Sequence, residues 1–435
     1  MAQNKTKSKR KMKQRRDSAL DHDGNLVFVP PRGIDFKILL ITILMLGFGL
    51  VMLFSASMTR GFFMEDSPSF YVGRQVIFTA IGLALVYLLT RRDVRKATSF
   101  NTMLLAYVAV TIMLVLVLIP GIGIKVNDQR RWLPFILRQT FQPSELAKMA
   151  VVFCGACYYP WLRKQRAAGK FCGTTLSRSI WLDFFMDFGV PGLAIFLWCG
   201  LIMMQSHFSA TLIILLELLV VFLSAGISKS SWRRLALILV ITILVGTFIF
   251  VVAWPAIRAG MSGNPRMDHI VDRLDAFTGK SSNDTSYQPD QALIAIGSGG
   301  FRGLGLGMGV QKYNYLPEAH NDYIYAIICE ELGFVGGSVV IALFAAYLIY
   351  GLRVTFRTRT LAAQILASGF SSLIVIQAML SIAVNLQVIP STGVSLPFFS
   401  YGGTSNIFFL VGVALLLNVS KFGLVSQTPA DRADD

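Results

Sequence analysis

The sequence predicts an all-α polytopic membrane protein of about ten transmembrane helices, with a large extracytoplasmic loop between helices seven and eight. Three observations predict this. The 435-residue chain is 54% hydrophobic and only 15% charged, with a mean hydropathy of +0.59, which is too apolar for a soluble globular protein. Apolar windows of about 20 residues, enough for a helix to cross roughly 30 Å of hydrocarbon, recur along nearly the whole length. Clusters of Lys and Arg then fall at alternate ends of these windows, as cytoplasmic loops require.

Residues 1–34 are polar, with Pro30-Pro31 and Gly33 just before the first apolar run. They read as a disordered basic cytoplasmic arm ahead of a membrane domain at 35–424 and a short cytoplasmic tail at 425–435. The arm is polar for too long before the apolar run to be an ordinary cleaved signal peptide. Its Lys5, Lys7, Lys9, Arg10, Lys11, Lys13, Arg15 and Arg16 supply much of the +16 formal charge. No aromatics lie among them to stack on bases, so the charge reads as a topology signal that touches anionic lipid, and nucleic acid is not an expected partner.

Helix one is expected at about 36–57 and helix two at about 73–90, ending on Arg91, Arg92, Arg95 and Lys96. Helix three, about 101–120, stops at Pro120-Gly121 before an outer loop, and helix four opens at Pro143, a residue suited to a first helical turn, and runs to about 161. Arg163, Lys164, Arg166 and Lys170 mark the inside. Helices five (about 189–204) and six (about 209–227) form a pair joined outside by Gln205-Ser206-His207-Phe208. Helix seven, about 234–254, releases the long outer loop 256–319. Helix eight (about 320–350), helix nine (about 361–388) and helix ten (about 404–420) complete the domain and leave both termini in the cytoplasm.

The stretch Asp268 to Glu331 is the long polar interval among these spans, and chemistry is expected there. Its glycine run from Gly297 to Gly309 lacks the strand and helix of a dinucleotide fold and the Gly-Lys-Ser/Thr ending of a phosphate loop, so no nucleotide is expected. Backbone folding against helix ends, with N–H groups able to face an anion, is the preferred reading. Cys154 and Cys157 fall inside an apolar helix and read as small-residue packing, not as a redox pair. The four histidines do not cluster, which argues against a His-based metal site.

Glu145 and Lys148, three positions apart at the start of helix four, share one helical face. Two readings stay open: a salt bridge that only holds helices together, or the wall of a polar cavity that meets a charged head group. A helix starting at 320 would also bring His320 and Glu331 to one face roughly three turns apart, with Asp322 and Glu330 pointing elsewhere, and would place that helix beside water. Asp284 lies in an exposed polar segment, where a carboxylate is either solvated or catalytic; the same holds for Asp268, Asp272 and Asp275.

Four blocks of sequence carry a family resemblance: Gly123 to Lys148, Tyr287 to Lys312, Tyr315 to Gly336, and Pro390 to Ser405. Through them the chain, from about residue 36 to 424, resembles the SEDS family of bacterial peptidoglycan polymerases, the family of FtsW, RodA and SpoVE. The resemblance implies polymerisation of lipid II, the undecaprenyl-diphosphate-linked disaccharide pentapeptide, at the outer face of the cytoplasmic membrane. It implies an essential acid shortly before the Tyr287-Gln288 pair, a position that Asp284 occupies. Leu316-Pro-Glu318-Ala319-His320 and the long basic arm are similar to the division (FtsW) branch, which implies septal wall synthesis. Where many relatives have Pro-Asp-Leu-Gly-Thr, this chain has Ser206-His207-Phe208-Ser209-Ala210-Thr211, so no role of that aspartate carries over.

On this resemblance Asp284 is the expected general base, and Arg131, Trp132, Glu145, Lys148, Gln288, Lys312, Glu318, His320, Asp322, Ser400 and Ser405 are the expected substrate-binding residues. Arg or Lys groups, or a divalent cation such as Mg or Mn, would offset charge on the leaving diphosphate. The expected partners are lipid II, a class B penicillin-binding protein (a transpeptidase) and other division proteins, with Phe62-Phe63 and Leu396 to Phe399 as apolar outer segments for docking. Rival readings are a lipid II flippase, which needs a path across both leaflets, and a non-catalytic division scaffold.

Overall fold

The computed structural model describes residues 33–126, 129–134, 140–171, 176–240, 287–313, 315–390 and 393–422. Asp284, the N-terminal arm, the C-terminal tail, the end of helix seven and most of the long outer loop lie outside the described residues. Helix α1 (Phe36–Glu65) starts on Asp35, whose side chain accepts from the Lys37 amide. It is followed by α2 (Phe70–Leu89) and α3 (Phe100–Leu118), the latter entered through a capping box between Ser99 and Thr102. A small antiparallel sheet, β1 (Ile124–Val126), β2 (Gln129–Pro134) and β3 (Thr140–Phe141), then leads directly into α4 (Pro143–Ala167).

Helix α4 runs past the expected end because its basic residues find partners: Arg163 donates to the Ala225 carbonyl and Arg166 pairs with Asp183 and Asp187. The same pairs explain why the next span begins earlier than expected. Helix α5 (Leu176–Phe184) continues through a π-turn at Phe185–Gly189 into α6 (Val190–Met204), with Asp187 also accepting from Ser231. Helix α7 (Phe208–Ser224) returns. Within the loop expected at 256–319, α8 (Tyr287–Gly299) is a helix, and α9 (Ile324–Arg357), α10 (Leu361–Asn385) and α11 (Gly403–Phe422) follow. Seven helical spans among the described residues are long and apolar enough to cross a membrane, and α7 is a shorter apolar helix.

Helix α10 is the centre of the bundle, packed against α4, α7, α9 and α11. Its long axis is lined on every side by buried residues, including Phe370, Ser371, Ile374 and Ala378. Its buried positions also include the polar Gln377 and Asn385, which make hydrogen bonds to neighbouring elements. The thiols of Cys154 and Cys157 are free, within α4.

Helix α9 begins at Ile324, four residues later than expected, and it is broken at Gly333 (φ 68°, ψ −165°). A break at membrane depth strands backbone groups that lipid cannot satisfy. The chain leaving α8 satisfies them: Phe334 and Val335 donate to the Gly300 and Phe301 carbonyls, while Leu304 and Gly305 donate to those of Glu330 and Glu331. This approach is possible only without side chains, since a Cβ on Gly303 (φ 80°) would lie 2.2 Å from the Glu331 carbonyl oxygen.

The glycine run thus folds against a helix, with its N–H groups facing anions as expected. Those anions belong to the chain itself. The Gly307 amide donates to the Glu331 carboxylate, and the Val310 and Gln311 amides donate to that of Glu330.

We predict that Gly303→Ala lowers the unfolding temperature of the detergent-solubilised protein, by roughly 1–3 kcal/mol of stability. Gly47→Ala, on an open helical face, should be neutral or slightly stabilising. Thermal unfolding followed by tryptophan fluorescence compares the two.

Candidate active site

The site is built on the first turn of α4. Pro143 opens the helix and Glu145 sits in its first turn, where a negative charge suits the amino end of the helix dipole. Lys148 lies one turn deeper and reaches back, its Nζ 2.7 Å from Glu145 Oε1 and 2.6 Å from Oε1 of Gln377 on α10. Both ionic groups are nearly removed from solvent, and a buried pair of this kind persists because its hydrogen bonds are met on several sides. The pairing expected from their spacing is present, and Gln377 is a third member that the spacing does not reveal. A narrow crevice between α4, α10 and α11 has these three residues at its polar end and Ile374, Phe408 and Phe409 along its apolar wall.

Above this turn, Arg131 of β2 donates through Nε to the Gln205 carbonyl at 3.2 Å and through Nη2 to that of Ser206. It thereby clamps the connection between α6 and α7 over the amino end of α4. Trp132 follows on β2, half-buried, opposite Ile124. His207, in that connection, is buried, with Nδ1 3.2 Å from both Gln142 Nε2 and Ser144 Oγ.

The turn before α9 forms the other side. Glu318 pairs with Arg60 of α1 at 2.9 Å and accepts from Asn321. His320 is buried against the rings of Tyr71 and Tyr401. Burial holds its imidazole below the ordinary range; Glu318 opposes that shift and Arg60 adds to it. Asn385 of α10 fixes the turn, donating to the Asp322 carbonyl and accepting from the Ala326 amide. The Asp322 carboxyl faces Gly393, where a Cβ would come within 3.1 Å of it. Burial, reinforced by the charge of Glu318, pushes this carboxyl up to about 7, and Arg131 opposes the shift. The charge of Arg131 therefore reaches both halves of the site.

Several expected site residues are placed differently. His320 and Asp322 precede α9, so His320 and Glu331 do not share a helical face. Glu331 is paired inside the protein with Lys312 at 2.7 Å, and neither side chain is exposed. Lys312 also donates to Ser55 and to the Gly307 carbonyl, so it holds the glycine loop. Glu331 is satisfied by Ser55, Lys312 and the Gly307 amide, and one Glu330 oxygen accepts from the Val310 and Gln311 amides. The Ser400 hydroxyl is spent on the Asn321 carbonyl and the Leu396 amide. Ser405 lies half-buried in the first turn of α11, and Gln288 is exposed on α8.

Of the apolar segments expected to dock a partner, Phe62 and Phe63 are exposed at 60% and 67%. Leu396, Phe398 and Phe399 are buried, with Phe399 packed against Phe48 and Phe344, and belong to the core. Residues that sequence reasoning missed include His207, Gln377 and Glu217. Glu217 is a buried acid on α7 near the Ser372 hydroxyl. A lone polar residue in each apolar run was the available signal for the last two.

These features define a polytopic helical membrane protein in which Arg131 of the sheet lies within electrostatic reach of Asp322 in the turn before α9 and of His207 beside the amino end of α4. The model of the cell cycle protein family of FtsW, RodA and SpoVE matches residues 36–423, and the chain belongs to this family. It is 32% identical over 389 residues to stage V sporulation protein E of Bacillus subtilis, covering 89% of this chain and 97% of that one. It is likewise 32% identical over 392 residues to the probable peptidoglycan glycosyltransferase FtsW of Nitrosomonas europaea, covering 89% and 92%. Among solved structures, a chain of a peptidoglycan synthase complex superposes with a TM-score of 0.64 at 23% identity, covering 89% of this chain and 97% of that chain. The rod shape determining protein RodA of Thermus thermophilus superposes with 0.57 at 24%, covering 89% and 96%. The polytopic helical fold expected from the sequence is therefore shared with these structures.

Because the Asp322 carboxyl stays protonated in the folded protein to about 7, the unfolded chain ionises first, from about pH 4. Stability should therefore fall as pH rises through that window. Asp322→Asn should flatten the dependence, as read by thermal unfolding in detergent between about pH 5 and 8.

Proposed function

We propose that this protein is a peptidoglycan glycosyltransferase that polymerises lipid II at the outer face of the cytoplasmic membrane, in septal wall synthesis during division. Membership of the family carries this reading, and the cationic cleft of Arg131 and Lys148 supports it. Both termini lie in the cytoplasm on this reading, and the site faces outward.

The sugar 4-hydroxyl of one lipid II attacks the anomeric carbon of the growing strand. A new C–O bond forms with inversion while the bond from that carbon to the diphosphate breaks, and undecaprenyl diphosphate leaves with the electron pair. Asp284, in the outer loop, takes the hydroxyl proton. Arg131 and Lys148 hold the anionic head group and stabilise charge on the leaving diphosphate, a role that gains strength away from bulk water. Glu145 and Gln377 keep Lys148 aimed. Glu318, His320 and Asp322 form the opposite wall. Mg or Mn would add positive charge at the diphosphate if bound there; among the described residues no three His, Cys, Asp or Glu side chains converge.

A class B penicillin-binding protein is the proposed partner, consistent with a fold shared with a chain of a peptidoglycan synthase complex. The exposed pair Phe62-Phe63 is the docking segment retained for it.

Purified protein with its transpeptidase partner and labelled lipid II should form glycan polymer. Asp284→Asn keeps size and polarity but cannot accept the proton, and general-base help is typically worth about 10²- to 10⁴-fold. Polymer should therefore disappear while lipid II binding survives. Wild-type polymerisation by Asp284→Asn would reassign the base to another acid of the loop. A cysteine placed at Ser282 should label with an impermeant reagent in intact cells; labelling only after permeabilisation would invert the topology.

A further inference from the structure

The connection between α6 and α7 is fastened unusually well for a three-residue turn. Gln205, Ser206 and His207 donate their amides back to Ile202, Met203 and Ile202, and Ser206 adopts φ 58°, a left-handed conformation that a non-glycine residue holds only when its surroundings enforce it. Arg131 grips two of the turn's carbonyls, and the Gln205 side chain donates to the Leu114 carbonyl. The result is a fixed platform for one side chain, the buried imidazole of His207.

That imidazole meets the residues that begin α4. Gln142 is the N-cap, Ser144 follows Pro143, and Glu145 comes next. The Gln142 amide nitrogen can only donate, so Nδ1, 3.2 Å away, is the acceptor, and the Ser144 hydroxyl can add a second donation at 3.2 Å. With Nδ1 accepting, the single N–H of the neutral ring stands on Nε2.

We propose that His207 is a positioning residue of the substrate site: by accepting at Nδ1 from Gln142 and Ser144 it fixes the first turn of α4, and with it the Glu145–Lys148 pair, against Arg131. The proposal rests on the functional reading above, in which Arg131 and Lys148 hold the anionic head group. The charged groups around the ring are Arg131 from β2 and Lys148 from α4, the latter paired with Glu145. Burial and these two cations keep the imidazole uncharged. A proton on it would bring a third positive charge to the cluster and turn Nδ1 into a donor aimed at the donor of Gln142. The neutral ring therefore adds no charge to oppose the two cations while tying down the turn that carries one of them.

The test compares His207→Asn, His207→Gln and His207→Ala in the full-length protein with its transpeptidase partner. The Asn side chain places a polar atom where Nδ1 lies, whereas Gln reaches the position of Nε2. Asn should retain activity within a few-fold. Ala and Gln should lose about tenfold, on the order of one hydrogen bond, chiefly through a raised KM for lipid II. Wild-type rates for His207→Ala, or Gln restoring activity better than Asn, would overturn the proposal. Should the variants fail to insert, ¹⁵N-histidine spectra of the wild-type protein decide: a neutral Nε2–H tautomer at His207 near pH 7 supports it, and an Nδ1–H tautomer or an imidazolium refutes it. A wild-type protein that makes no polymer at all would instead refute the functional reading, leaving the tautomer measurement to stand by itself.

Discussion

Lys312 and Glu331 meet at 2.7 Å with neither side chain exposed, and the packing of α1, the glycine run and the start of α9 is arranged around that meeting. An ion pair taken wholly out of water must recover its lost hydration from other partners, or it costs more than it contributes. Here Ser55 of α1 donates to Glu331, Lys312 donates to Ser55 and the Gly307 carbonyl, and the Gly307 amide closes on the carboxylate. The first long helix, the glycine run and the upper part of α9 are thus joined by one set of polar contacts. A cation or an acid missing from this set would leave an uncompensated charge at membrane depth.

The Glu145–Lys148 pair uses the same principle with a different outcome. Lys148 is paired, but its second partner is the neutral Gln377 amide, and the neighbouring His207 is uncharged, so positive character persists alongside Arg131. Lys312, by contrast, is enclosed by a carboxylate, a hydroxyl and a carbonyl and has nothing left to offer a ligand. Both lysines pair with one carboxylate, and they differ in the neutral acceptors that complete their contacts.

The spans were legible because apolar length and basic ends are local properties: α2, α3 and α11 fall within a few residues of where hydropathy and charge put them. The Glu145–Lys148 contact was legible for the same reason, being set by helical spacing alone. What failed depended on distant residues. The start of α9 is fixed by Asn385, some sixty positions away in the chain, and the burial of Lys312 depends on Glu331 and on Ser55 of α1. Leu396 to Phe399 reads as an exposed apolar segment, yet Phe48 and Phe344 cover it. His207 stood out only as a departure from a family pattern, and its partners Gln142 and Ser144 come from another helix.

The break at Gly333 has a consequence for how the protein opens. In an unbroken helix the amides of Phe334 and Val335 would be protected by the preceding turn of their own segment. Here they are bonded to Gly300 and Phe301, beyond the end of α8. Neither segment can loosen without stripping the other of its backbone partners, so α8, the glycine run and the upper turns of α9 form one cooperative unit. Amide hydrogen exchange in these three stretches is therefore governed by a shared opening event, with one free energy, although they are separate in sequence.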